Sequence, residues 1–291
     1  KPLALTPEDC LGMRDAWQES GKLFSIGFTL RYSPHYVRIK EILEAGTIGD
    51  LISMEFNETL AFNHGGYIHA DWRRKTEWAG SHLLEKCCHD LDLYNMITGS
   101  RPSRVASFGG KRSFVAEHAT LSGAEHDIFS RKPSTWMSAD DPFTADGDIV
   151  DFQTAILSYE SGASLAFHTN INVPDEHRRF CVVGAKGMAE GDFVRGYLKV
   201  TRRDGSVFLD RDYTSGAFDQ RGSHYGADHM MVADILSFLN KDRDTLPVSI
   251  VEALEAGVAA LALDEARRQG QLVDLTETWA AFDQLGLRGQ G

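Results

Sequence analysis

Two periods of apolar and polar positions follow one another along this chain, and the change from one to the other divides it. Residues 6–21 carry a helical period that puts Cys10, Met13 and Trp17 on one face. Thr6 is placed to cap that helix, Pro7 to start it, Asp9 to complete a capping box and Gly21 to end it. Ahead of it, "KPLAL" reads as the end of a buried strand. After it, "LFSIGFTL" (23–30) is an apolar run bounded by turns and reads as another. The helix signals then repeat, with Ser33 as cap, Pro34 at the first position and Gly46 as the stop. Strand end, helix, strand, helix over residues 1–46 is the rhythm of an α/β layer.

The period falls to two after Gly49. In "LISMEFNETL", Ile52, Met54 and Phe56 share one face, and Ser53, Glu55 and Asn57 share the other. Residues 81–98 return to a helical pattern, whereas 111–147 have no clear period and read as a long loop. Strands dominate from about residue 148, with tight turns at Ser161-Gly162 and Asp204-Gly205. Two helices close the chain, one over about 226–240 and one from the Ser249/Glu252 capping box to Gly270. The pattern predicts an α/β plus α+β protein: an α/β layer over residues 1–46, then 47–291 as a mostly antiparallel open-faced sheet with helices on one face.

Charge narrows the partners. Thirty Lys and Arg stand against 42 Asp and Glu in 291 residues, a formal charge of −12 with no basic stripe. Such a chain is a poor match for nucleic acid or an anionic membrane surface. No apolar run is long enough to span a bilayer as a helix. Four cysteines, two of them adjacent (Cys87 and Cys88), point to a reducing, cytoplasmic setting. Because the chain opens on what reads as the last residues of a strand, an upstream segment is expected.

The densest chemistry lies in "SHLLEKCCHDLD" (81–92). On a helix His82, Glu85, His89 and Asp92 fall on one side, while Leu84, Cys88, Leu91 and Asn95 form a neighbouring stripe suited to a core. Glu85 and His89 could bind a divalent ion, but no H-E-x-x-H, H-x-x-E-H or C-x-x-C pattern is present, so no metal is expected. Cys87 and Cys88 read as small core fillers. An acid/base site fits best, with Glu85 one turn away to fix the tautomer and tune the pKa of His89.

Its surroundings sharpen that reading. "AGSHLLEKCCHDLDL" resembles a helix of the glucose-fructose oxidoreductase / inositol dehydrogenase / rhizopine catabolism (Gfo/Idh/MocA) family, in which a glycine pair precedes Asp, a small residue, His and a further Asp. Glu85, Cys87, His89 and Asp92 take those places. "KPLAL" resembles the family's Glu-Lys-Pro motif at Lys1, "GFTLRYSP" its Asn-x-Arg-Tyr/Phe-x-Pro segment at Arg31 and Tyr32, and "DWR" its Trp-Arg pair at Trp72 and Arg73. "GAKG" (184–187) and "ALDEARRQGQLVDL" match a late strand turn and the closing helix and strand. The chain departs from the pattern in three ways: Glu85 replaces Asp, Thr29 replaces Asn, and no G-x-G-x-x-G occurs.

The resemblance implies that residues 1–46 are the C-terminal end of a dinucleotide-binding, Rossmann-type domain, and it implies hydride transfer between NAD or NADP and a secondary alcohol of a sugar, sugar derivative or cyclitol. It implies His89 as base or acid, Lys1 as its partner near the nicotinamide ring and Glu85 as the orienting group. Lys1, Arg31, Trp72 and Arg73 would meet the cofactor; Tyr32, Asp92 and His89 would meet the substrate. His224 and Asp228 resemble a position that can reach substrate. His82, by contrast, is expected at the surface, and His64, His69 and His168 are expected to be structural. The open sheet face implies a homodimer or homotetramer. Two alternatives remain: an NAD-dependent glycoside hydrolase of the same fold, and a non-catalytic sugar- or cofactor-sensing relative.

Overall fold

Strand β1 (Leu51–Thr59) runs parallel to β4 (Ser164–Asn170) on one side and antiparallel to β5 (Arg179–Gly184) on the other. Beyond β4 lie β3 (Phe152–Tyr159), β2 (Pro102–Gly110) and the short β9 (Val273–Asp274). Beyond β5 lie β6 (Gly187–Asp192), β7 (Tyr197–Arg202) and β8 (Val207–Asp212). The sheet therefore reads β8-β7-β6-β5-β1-β4-β3-β2-β9, and every pairing except β1–β4 is antiparallel. This is a computed structural model that describes residues 1–119, 140–214 and 221–287.

The helices are α1 (Pro7–Ser20), α2 (Pro34–Glu44), α3 (Phe62–Ala70), α4 (Thr76–Ala79), α5 (His82–Glu85), α6 (Cys88–Thr98), α7 (Ala227–Leu239), α8 (Ile250–Gln269) and α9 (Thr276–Gln284). Helix α8 lies along β2 and packs on α1, α5 and α6. The core forms between these helices and one face of the sheet, where Met54, Phe56, Leu157, Leu165 and Phe167 meet Tyr36, Tyr94 and Leu263. On the opposite face Phe108 is 71% exposed and Ile156 61% exposed. Alternation along β3 and β4 thus separates a covered face from an open one. No helix among the described residues is long and apolar enough to cross a membrane.

Local signals fix several boundaries. Asp9 donates its backbone amide to the Thr6 side chain at 3.1 Å, and Gly21 ends α1 in the left-handed region. Both halves of the Ser249/Glu252 capping box form. The hairpin glycines Gly162 and Gly205 take φ of 88° and 82°, values that favour a residue without a side chain.

Other expectations fail for identifiable reasons. Residues 1–5 and 22–28 form no strand: among the described residues no strand runs beside them, and a 3₁₀ turn (Thr29–Tyr32) follows. A short apolar run cannot reveal by itself whether a partner strand exists. Met13 is 46% exposed, so only part of the α1 stripe is core. A register shift between Leu51 and Ser53 turns Ile52 outward to 53% exposure, away from the face of Met54 and Phe56. The predicted helix over 81–98 breaks into α5 and α6, and the ladder restarts at the Cys87 carbonyl, which accepts the amides of Asp90 and Leu91. Residues 82–84 and 87–94 are buried all round, so packing rather than an amphipathic period sets this path. Most of the predicted 111–147 loop lies outside the described residues; within the rest, three backbone amides (Arg112, Ser113, Phe114) converge on the Asp151 carboxylate.

Candidate active site

The break between α5 and α6 sends the four aligned polar side chains of this segment to four different places. His82 is 1% exposed and turns into the sheet, with Nε2 3.1 Å from Thr169 Oγ1. It is neither at the surface nor in a cleft. Glu85 accepts a hydrogen bond of 2.9 Å from Nε of Arg73, so its partner is an arginine rather than His89. Asp92 is fully enclosed, and both of its oxygens accept from Arg31 at 2.7 Å. Arg31 also donates to Glu252 and to the Pro247 carbonyl, which ties the 3₁₀ turn to α6 and the start of α8. A substrate hydroxyl has no access to Asp92, and the geometry makes Arg31–Asp92 a clamp of the scaffold. Tyr32 likewise turns to α7: burial and Asp234 raise its hydroxyl to about 12.

The fourth is His89. Its side chain is 5% exposed, and Nε2 lies 3.4 Å from Oδ2 of Asp90, the next residue. Burial holds the imidazole well below its ordinary pKa, and the charges of Lys1, Lys86, Arg178 and His224 press in the same direction. Lys1 thus stands within electrostatic reach of His89, and it acts on Glu85 too. Burial pushes the Glu85 carboxyl up, while Arg73 and then Lys1 pull it back. The Arg73 guanidinium lies 4.4 Å from the Trp72 ring and 5.5 Å from the Tyr67 ring, so an arginine bracketed by aromatics flanks Glu85.

Two histidines at the rim converge on the same charges. His64 feels Lys86, Arg178, His224 and Lys1. His224 is oriented by Asp228, 2.9 Å from its Nδ1. His224 and Tyr225 both lie in the left-handed region, at φ 51° and 56°, which costs of order 1–3 kcal/mol for each non-glycine residue. His69 stacks on Phe114 at 4.4 Å in a separate cluster, and His168 faces Thr154 on the open side of the sheet. Burial raises the Cys88 thiol to about 12 and Cys87 well above its ordinary value, so neither offers a thiolate.

Sequence reasoning missed the charges beneath His89. Glu58, at the end of β1, is 0% exposed; Nε of Arg178 lies 2.7 Å from its Oε2 and Nζ of Lys86 3.6 Å from its Oε1. Its signal was readable: Glu58 continues the Met54, Phe56 face, a carboxylate on the buried side of a strand. Asp90 and Arg178 carry no comparable mark. Donor atoms of Glu58, His89 and Asp90 lie within 4.8 Å of one another, a spacing that would suit a divalent ion. The two cations already facing Glu58 oppose one there.

The family model for the GFO/IDH/MocA C-terminal domain matches residues 36–190, more than half of the chain. A Bacillus subtilis (strain 168) protein named "Putative oxidoreductase YteT" is 24% identical over 91% of this chain and 71% of its own length. An inositol 2-dehydrogenase of Gluconacetobacter diazotrophicus is 31% identical, but over 40% of this chain and 33% of that protein. Among solved structures, levoglucosan dehydrogenase in complex with NADH and levoglucosan superposes with a TM-score of 0.72 at 18% identity, covering 95% of this chain and 73% of the other. That likeness shows the shared fold. The chain belongs to the Gfo/Idh/MocA family of oxidoreductases.

Proposed function

We propose that this chain carries the acid/base machinery of an NAD- or NADP-dependent oxidoreductase that moves hydride between the nicotinamide and a secondary alcohol of a sugar, sugar derivative or cyclitol. The observation that carries the reading is the placement of His89, buried with Nε2 3.4 Å from Asp90 and within electrostatic reach of Lys1. The relatives named inositol 2-dehydrogenase and levoglucosan dehydrogenase support the substrate class.

The residues present fit the nicotinamide end of such a cofactor. Lys1 reaches the charges of His89 and Glu85, and Trp72 with Arg73 provides an aromatic wall. The Gly-rich phosphate cradle is not among the 291 residues. A bound nicotinamide supplies the hydride acceptor.

The rest falls to side chains. An alcohol loses its hydroxyl proton as hydride departs, and a neutral imidazole can accept that proton. The Lys1 ammonium steadies alkoxide charge as the proton leaves. Arg73, held by Glu85, keeps Trp72 and Tyr67 in place. His224, with Asp228 behind it, and His64 offer hydrogen bonds to a polyol at the rim. The open sheet face, with Phe108 and Ile156 exposed, is where a second copy would pack into a homodimer or homotetramer.

Titration with NAD+, NADP+ and their reduced forms, followed by nicotinamide fluorescence, tests the reading. Saturable binding that weakens in Trp72→Ala and Arg73→Ala is expected. A protein that binds no nicotinamide, or binds equally well in both variants, would not fit it.

A further inference from the structure

Beneath His89 lie four charged side chains from four different segments: Glu58 on β1, Lys86 between α5 and α6, Asp90 on α6 and Arg178 just before β5. All are buried, at 0%, 8%, 3% and 6% exposure. The ion pairs are unevenly shared. Both cations contact Glu58, at 2.7 and 3.6 Å, whereas among the described residues the partner in contact with Asp90 is His89, at 3.4 Å. Among the described residues Oδ2 of Asp90 and Nδ1 of His89 have no hydrogen-bond partner; the Glu58 oxygens have none either, so contact with the two cations is what separates the two carboxylates. A buried carboxylate left with a neutral imidazole and a second carboxylate nearby is in the least favourable place in the cluster to keep a charge.

We propose that Glu58 and Asp90 hold one proton between them, that Asp90 carries it, and that Asp90 rather than Glu85 is the positioning residue that sets the tautomer of His89. The inference rests on the reading of His89 as the acid/base residue. Negative charge stays on Glu58, where Arg178 and Lys86 lie. A neutral carboxyl is a donor and an acceptor in one group, and Oδ2 stands 3.4 Å from Nε2 of His89, a contact that a small rotation of either side chain turns into a hydrogen bond.

The surrounding charges agree. Around Asp90 stand Glu58, Arg178, Lys86 and Lys1, with His89 and Tyr94 on its own helix and Tyr36 on α2. Burial pushes the Asp90 carboxyl well above its ordinary range and Glu58 pushes it further; the three cations pull back without contact. Asp192, the next acid outward, acts on Tyr36 and caps the Arg178 amide at 3.2 Å. Glu85 is occupied by Arg73. A divalent ion at the same three donors would bring two further positive charges against Arg178 and Lys86, which disfavours it.

NMR of protein labelled at the histidine ring nitrogens and aspartate carboxyl carbons tests this directly. Signals are assigned by their loss in His89→Gln and Asp90→Asn. At pH 7 the Asp90 carbon should sit at the neutral-acid position, with His89 in a single neutral tautomer. Asp90→Asn, which mimics a neutral carboxyl, should preserve that tautomer, Asp90→Ala should disturb it, and Glu85→Gln should leave it alone. Should Asp90→Ala fail to fold, Glu58→Gln gives a second reading: the Asp90 midpoint falls by about one unit or more once the competing charge is gone. An ionised Asp90 carbon at pH 7, a midpoint unmoved by Glu58→Gln, or ring signals that follow Glu85→Gln would each overturn the proposal. Paramagnetic broadening of these signals by stoichiometric Mn2+ would do so as well. None of these measurements needs turnover, so their failure leaves the hydride-transfer reading standing, and an inactive protein that shows these signals counts against that reading alone.

Discussion

Glu85 lies 2.9 Å from Nε of Arg73, on the opposite side of a helix break from the His89 it was expected to orient. The pair is partly shielded, with 30% and 14% of the two side chains exposed, so a real coupling should remain after solvent screening. A double-mutant cycle on urea-unfolding midpoints, using Arg73→Ala and Glu85→Gln, should return about 0.5–1 kcal/mol of interaction. A value indistinguishable from zero would mean the two side chains do not hold each other in solution.

Asp92 offers a sharper contrast between scaffold and site. Asp92→Asn leaves the buried Arg31 guanidinium with Glu252 and a carbonyl but without its bidentate partner. The expected loss is about 3 kcal/mol, on the order of 10 °C in melting temperature. The pH profile of the remaining folded enzyme should not move. A normal melting temperature with a raised KM for substrate would instead place Asp92 at the substrate.

His82 links pH to stability. Burial lowers its pKa from 6.5 to about 3 in the folded chain. The unfolded chain therefore takes up a proton that the folded chain refuses. Its contribution is complete above about pH 6.5 and is lost as the pH falls towards 3. His82→Gln should flatten the fall of stability between about pH 6 and 4 by up to roughly 1.4 kcal/mol per pH unit. Parallel curves for the two proteins would show that His82 is protonated while folded.

The open sheet face predicts self-association. Phe108→Glu and Ile156→Glu place charges on a surface that is already exposed in one copy, so folding stability measured at concentrations where both proteins are monomeric should change by less than about 0.5 kcal/mol. Sedimentation velocity should show an oligomer for the parent protein and a monomer for the double variant. Equal sedimentation of the two would remove this face from the assembly.

Much of this was legible from local rules. Thr6, Pro7 and Gly21 bound α1, Ser249 with Glu252 starts α8, and Gly162 and Gly205 mark hairpins, because caps and left-handed turns act over four or five residues. What failed depended on distant neighbours. Residues 23–30 have the composition of a strand but, among the described residues, no strand beside them. The alignment of His82, Glu85, His89 and Asp92 assumed an unbroken helix, and packing on both sides broke it at Lys86 and Cys87. The carboxylate in contact with His89 is the adjacent Asp90, which helical spacing gives no reason to choose.

The central claim is that His89 moves the hydroxyl proton. Its most direct test is the rate of NAD+- or NADP+-dependent oxidation across a panel of cyclitols and sugars, for the parent protein and His89→Gln, with folding and nicotinamide binding checked in both. With a substrate found, His89→Gln should bind nicotinamide normally and lose about 10²–10⁴-fold in kcat. A variant that keeps kcat within about threefold of the parent has lost no proton transfer worth the name, and would contradict the account.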